Sequence, residues 1–260
     1  MALSTGGALL AACASDAGTS GRRVQLALRV EPGSLTFTNA FGWQLELARV
    51  LVSIGPLAYL EGAPVAMRAM PWRALAQARR ALGVAVAHAH PGHYHAGGTL
   101  AEALVATSVD LALGPVELGV AAGVSGTALS GRFSFQAPPL GPYARDLGSH
   151  VACVEGEAKK DGTALPFRVV AGVEDVLDPQ GRPEVLGCAF HDGAIEANGT
   201  VSLTVAPSIW LDQCDFAGLV ASGDRQPVEL DRSLGAHQSF LRGLRKAASY
   251  VFTYVARAER

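Results

Sequence analysis

The chain has 260 residues, 49% of them apolar and 17% charged, with a formal net charge of −2. That balance excludes a disordered chain and leaves no basic footprint for nucleic acid or an anionic membrane surface. With 30 Gly and 14 Pro against 3 Met, the composition points to a turn-rich β protein rather than a helical bundle.

The first feature in chain order is the apolar stretch MALSTGGALLAAC. No apolar run reaches the length of about 20 residues that a spanning helix needs. The stretch ends in Leu10-Ala11-Ala12-Cys13, a branched apolar residue, two small residues and a cysteine. This resembles the lipobox of bacterial lipoproteins, although no Lys or Arg precedes it. The resemblance implies cleavage before Cys13, acylation of its thiol and a place in the bacterial cell envelope. That means the periplasm, with outer-membrane anchoring expected because Ala14 and Ser15, not Asp, follow the cysteine. Residues 1–13 then form a signal remnant, 14–23 a flexible linker and 24–260 one folded domain. Cys153, Cys188 and Cys214 remain in an oxidising compartment, where they allow one disulfide and one thiol, or three thiols.

The linker leads into a strand over 21–30, where Val24, Leu26, Leu28 and Val30 alternate with polar or small residues. A turn at Glu31-Pro32-Gly33-Ser34 and a short β-prone run at 36–39 come next. A strand over 43–60 is interrupted at Gly55-Pro56, which marks a bulge or an edge. The run PWRALAQARRAL (71–82) predicts a helix ended by Gly83. Strands are expected over 107–120, broken at Gly114-Pro115, and over 126–136, 150–158, 166–172, 184–190 and 200–206. A helix over 233–247, capped by Ser233, and a last strand over 249–256 complete the series. Nine or ten strands without a βα alternation predict an all-β fold, an antiparallel β-sandwich of Ig-like or jelly-roll-like kind with one or two short helices.

The sharpest chemical signal is His88-Ala89-His90-Pro91-Gly92-His93-Tyr94-His95, four of the 7 His within eight residues. In extended backbone, residues two apart share a face. His88 and His90 can therefore chelate one ion, and the Pro91-Gly92 turn allows His93 and His95 to fold back beside them. Imidazole is the commonest metal ligand, and a histidine set without a Met cluster favours Cu(II) or Zn(II). His150, His191, Asp192 and Glu102 are candidates for a further ligand. The cluster also loosely resembles the first cupin motif, with Gly83, His88-x-His90 and then His95 where that motif has Glu. No second motif follows, so cupin-like metalloenzyme chemistry is a minor alternative.

Elsewhere, Ile209-Trp210-Leu211-Asp212-Gln213-Cys214-Asp215-Phe216 reads as an aromatic anchor in the core, with Asp212 and Asp215 capping turns rather than holding a hard cation. Cys188 and His191 form a possible sulfur–nitrogen pair, although a disulfide from Cys188 is the stronger expectation. No Gly-x-Ser-x-Gly elbow, phosphate loop, dinucleotide fingerprint or His-Glu-x-x-His helix is present. Catalytic residues are therefore not assigned, and an enzyme is the less favoured class.

The early strands SLTFTNAFGWQLELARVLVSIGPLAYLEG, the histidine loop after them and the late WLDQCDF together resemble the methanobactin-associated, MbnP-like family of extracytoplasmic copper proteins. The resemblance spans about half of the chain. It implies a β-sandwich and a copper-binding role, with His88, His90, His93 and His95 as candidate ligands. The leading expectation is a lipid-anchored extracytoplasmic protein that holds or delivers copper or zinc. The alternative is a structural or adhesive surface lipoprotein.

Overall fold

The computed structural model describes residues 21–63, 97–219 and 226–257. The helix expected at 71–82, Cys13, and His88, His90, His93 and His95 lie outside the described residues.

Sixteen strands are described. They are β1 (Arg23–Pro32), β2 (Thr36–Thr38), β3 (Gln44–Ile54), β4 (Leu57–Leu60), β5 (Thr99–Ala103), β6 (Thr107–Asp110), β7 (Val116–Val124) and β8 (Gly126–Thr127). Then come β9 (Ser130–Ser134), β10 (His150–Lys160), β11 (Thr163–Gly172), β12 (Glu184–His191), β13 (Ala194–Ile195), β14 (Gly199–Val205), β15 (Val228–Glu229) and β16 (Tyr250–Ala256). Three short helices accompany them: α1 (Ala144–Leu147), α2 (Pro207–Leu211) and α3 (Gly235–Leu244).

The all-β class holds, but the antiparallel sandwich does not. Eight strands close into a barrel in the order β1-β14-β16-β12-β9-β4-β5-β7. A second, open sheet runs β15-β11-β10-β3-β2, with β6 on β3, and β13 pairs with β8. The ladders are mixed: β1 with β14, β12 with β16 and β11 with β15 are parallel. Short alternating strands separated by turns suit a sandwich and a barrel equally. What decides between them is pairing over long sequence distances, such as Leu26 with Gly199, which alternation does not encode.

Both Gly-Pro interruptions mark places where the chain changes sheet. At Gly55-Pro56 it passes from β3 in the open sheet to β4 in the barrel, and at Gly114-Pro115 from β6 to β7. Proline removes a ladder donor, so pairing stops there. A Cβ on Gly55 would stand 3.1 Å from the Phe135 carbonyl oxygen, so the crossing is also a close backbone approach.

Alternation places Val24, Leu26, Leu28 and Val30 inside the barrel, all buried. One continuous apolar cluster joins this interior to the open sheet, through Val50, Val52, Ile54, Val154, Phe167 and Val169. Helix α3 packs by Phe240, Leu241 and Leu244, and its Gly243 lies so close to Trp210 that a Cβ would stand 2.4 Å from the Trp210 Cα. The expected Ser233 cap is not formed. Leu234 is the N-cap residue, and the Ser233 hydroxyl instead donates to Asp231 at 2.5 Å. Among the described residues no helix is long and apolar enough to cross a membrane.

Candidate functional site

The histidine-bearing segment is followed back to the barrel through its two described flanks. β5 and β1 are both antiparallel to β7, so they run in the same direction. Their register places Ala101, Gly123 and Val24 in one row. The start of β1, the end of β4 and the start of β5 therefore share one end of the barrel, here called the mouth.

Glu61 and Gly98 close the neck between the flanks. The Glu61 amide donates to the Gly98 carbonyl at 3.1 Å, and the Gly98 amide donates to Glu61 Oε2 at 3.2 Å. Gly97 has φ +67°, and a Cβ there would meet the Gly62 nitrogen at 2.9 Å. A side chain would be both strained and crowded at this position. The Ser130 hydroxyl donates to the Gly62 carbonyl, and the Leu129 amide to the Leu60 carbonyl at 2.9 Å. Next to it, the Ala128 amide donates to the Gly193 carbonyl at 2.8 Å. The neck is thus fixed to the start of β9, and the residue before that contact is in turn bonded to the turn after β12.

That arrangement separates the four accessory candidates. Ala189, Ser130 and Leu60 stand in one row, and β12 runs in the same direction as β4. His191 and Asp192 consequently rise at the mouth, where both are exposed. Glu102 is on β5, but Arg132 holds it at 2.5 Å. His150 begins β10 in the other sheet, opposite Gly172. Among the described residues no three His, Cys, Asp or Glu side chains converge as a metal site. His191 and Asp192 supply two donors at the mouth, fewer than a closed zinc or copper site needs.

The cysteines are three separate buried thiols, without a disulfide among the described residues. Burial pushes Cys153 up to about 11 and Cys188 and Cys214 up to about 12. In this state they are weak nucleophiles and poor ligands. Cys188 points into the core and donates to the Val185 carbonyl at 3.3 Å, whereas His191 is exposed, so the sulfur–nitrogen pair does not form. In the aromatic-acidic segment Trp210 and Phe216 are buried. Asp215 accepts from the Ala217 amide at 3.0 Å and from Trp43 Nε1 at 3.2 Å. The Asp212 carboxylate is bonded by its neighbour Gln213 instead. These two carboxylates serve the loop rather than a cation.

The clamp residues Glu61, Gly97 and Gly98 are not among the candidate ligands that the sequence offers. Their signal is the Gly97-Gly98 pair, separated from His95 only by Ala96, at the start of β5, a strand absent from the expected series. β5 has the burial pattern exposed, buried, buried, exposed, buried, which breaks strict alternation. Searches of family models, curated proteins and solved structures find no match to this chain.

Proposed function

We propose that the protein binds copper or zinc outside the cytoplasm through His88, His90, His93 and His95, anchored by lipid at Cys13. It holds or delivers the ion and does not transform a substrate. The observation that carries this reading is the density of imidazoles, four in eight residues, on a segment whose flanks are pinned together at the barrel mouth. Joining the ends of a long segment lowers the ordering cost that a metal would otherwise have to meet on closing its ligand set. His191 and Asp192 stand at the same mouth and offer a supplementary ligand. The MbnP-like resemblance supports the same chemistry, although its sandwich expectation does not describe this barrel.

Calorimetric titration of the full chain with Cu(II) and with Zn(II) tests the proposal. One of the two metals is expected to bind near stoichiometrically. Joint replacement of the four histidines by alanine abolishes this, and His191→Ala weakens it. Retained stoichiometric binding in the fourfold variant would overturn the site. For the anchor, labelled palmitate is expected to enter the protein in a bacterial host and to be lost with Cys13→Ala.

A further inference from the structure

Two short stretches of chain beside β12 are each held by their own hydrogen bonds. On one side, the Asp178 carboxylate accepts from the Gln180 amide at 2.8 Å, and from the amide and guanidinium of Arg182 at 2.8 to 3.1 Å. Donors converging on one carboxylate close residues 178–182 into a fixed loop. On the other side, the Gly243 carbonyl near the end of α3 accepts from the Lys246 amide at 3.0 Å and from the Ser249 hydroxyl at 2.9 Å. The Leu244 carbonyl accepts from the Tyr250 hydroxyl at 2.9 Å. These carbonyls are therefore served without the side chains of Arg245 and Lys246, which a helix end would otherwise draw.

A cleft of about 780 Å³ lies between the two stretches, within the range of about 300–1,000 Å³ that ligand sites span. The 3-10 turn at Ala247–Ser249 packs against β12 and covers its edge there, so the cleft offers side chains and no open ladder. Val176 and Val185 are buried in its lining, and Leu177 and Leu186 are half-buried, leaving apolar surface toward the opening. Arg245 and Lys246 complete the lining, both exposed and without a carboxylate partner among the described residues. The two lining carboxylates are neutralised by other arginines. Asp178 is paired with Arg182 at 2.8 Å, and Glu184 lies 3.3 Å from Arg182 and 3.8 Å from Arg132. The unbalanced charge at the cleft is therefore positive.

We propose that this cleft binds a small amphiphilic anion, a free carboxylate with a medium-length hydrocarbon tail. The tail lies against Leu177, Val185 and Leu186, where each methylene withdrawn from water adds to affinity. The head group meets Arg245 and Lys246, whose donors are charged and otherwise unused. Both halves of the ligand are needed, because the apolar lining gives no hold to a short anion and the two cations give none to a neutral tail. Fixed loops on either side mean that little ordering is left for the ligand to impose. The site does not rest on the proposed metal role, since the histidine segment joins the barrel at the mouth.

The probe is octanoate, titrated to millimolar concentration into the isotope-labelled full chain. Saturable amide shifts are expected at 176–178, 184–186 and 245–248. Butyrate, which lacks most of the tail, and octan-1-ol, which lacks the charge, each bind about tenfold more weakly or less. The double variant Arg245→Gln, Lys246→Gln loses about tenfold in octanoate affinity and leaves the octan-1-ol response unchanged. Leu186→Asp weakens both ligands. Arg245 and Lys246 are exposed, so a thermal melt should show the double variant folded. Four outcomes overturn the proposal: no saturable shift, shifts elsewhere on the molecule, equal octanoate affinity in the double variant, or shifts of these amides that follow protein concentration without ligand. The last would seat a second copy of the chain in the cleft.

Discussion

Inside the barrel, Tyr59, Phe190 and Phe252 meet ring to ring at 5.3 to 5.9 Å, and Phe133 stacks on Tyr250 at 4.0 Å. The open sheet carries charge across its strands on its outer face. Lys159 on β10 lies between Glu46 on β3 and Glu157, and Arg168 on β11 joins Glu155 on β10 to Glu229 on β15. Both regions bury aromatic rings and carry ion pairs outside, but the barrel interior gathers five rings, whereas the open sheet packs on the smaller set Trp43, Phe167 and Phe216. Aromatic pairs in a dry core contribute both burial and specific ring geometry. Half-exposed ion pairs are screened and contribute little each. In both regions stability therefore rests on the shared buried core rather than on the surface ion pairs.

The most severe way to break this contrast is Phe252→Ala. The ring is fully buried between Tyr59 and Phe190, and its removal is expected to cost about 3–5 kcal/mol, read as a lower urea midpoint. A loss below about 1 kcal/mol would show that the barrel interior relaxes around the hole.

A pH series sharpens the contrast with one thiol from each region. Cys188 belongs to the barrel and Cys153 to the open sheet. Their folded pKa values are raised from 9.0 to about 12 and about 11. A raised acid binds its proton more tightly when folded, so its contribution is complete below the unfolded value. It is lost as pH rises through the folded value. Stability is expected to fall between about pH 9 and 12. Cys188→Ala should reduce that alkaline loss more than Cys153→Ala does. Urea unfolding at neutral and alkaline pH checks it, and equal slopes in the two variants would contradict the assignment.

The smallest effect is expected from Arg168→Ala. Its side chain is 29% exposed and its partners more so, so the loss should stay within about 1 kcal/mol and shrink further in salt. A larger loss that salt does not alter would mean that packing of the Arg168 stem, not charge, supports this sheet.

Much of the local structure was legible in the sequence. Alternation marked β1 and the first half of β3, where one face is buried, and β-prone composition marked β10, β12, β14 and β16. The Gly-Pro steps were legible as interruptions but not as crossings between sheets, since the same pair serves an edge, a bulge or a corner. Closure of the barrel was not legible. It depends on parallel partners far apart in the chain, and nothing in Leu26 announces Gly199. At the mouth, His191 and Asp192 could be named from composition alone, but their separation from His150 and Glu102 required strand direction. The register shift in β12 between Val185 and Cys188 turns on the backbone of Gly187, at φ +70°, one of 30 glycines that carry no individual label.

The shared direction of β1 and β5 has a consequence for reach. Nine residues, 14–22, separate Cys13 from β1, which is at most about 35 Å of fully extended chain. A lipid on Cys13 would therefore keep the mouth, and with it both roots of the histidine segment, within a thin layer above the bilayer. Encounter with a partner in the same membrane then becomes a two-dimensional search at high effective concentration. On the proposed function, the anchor would limit how far the roots of the histidine segment can stand from the bilayer.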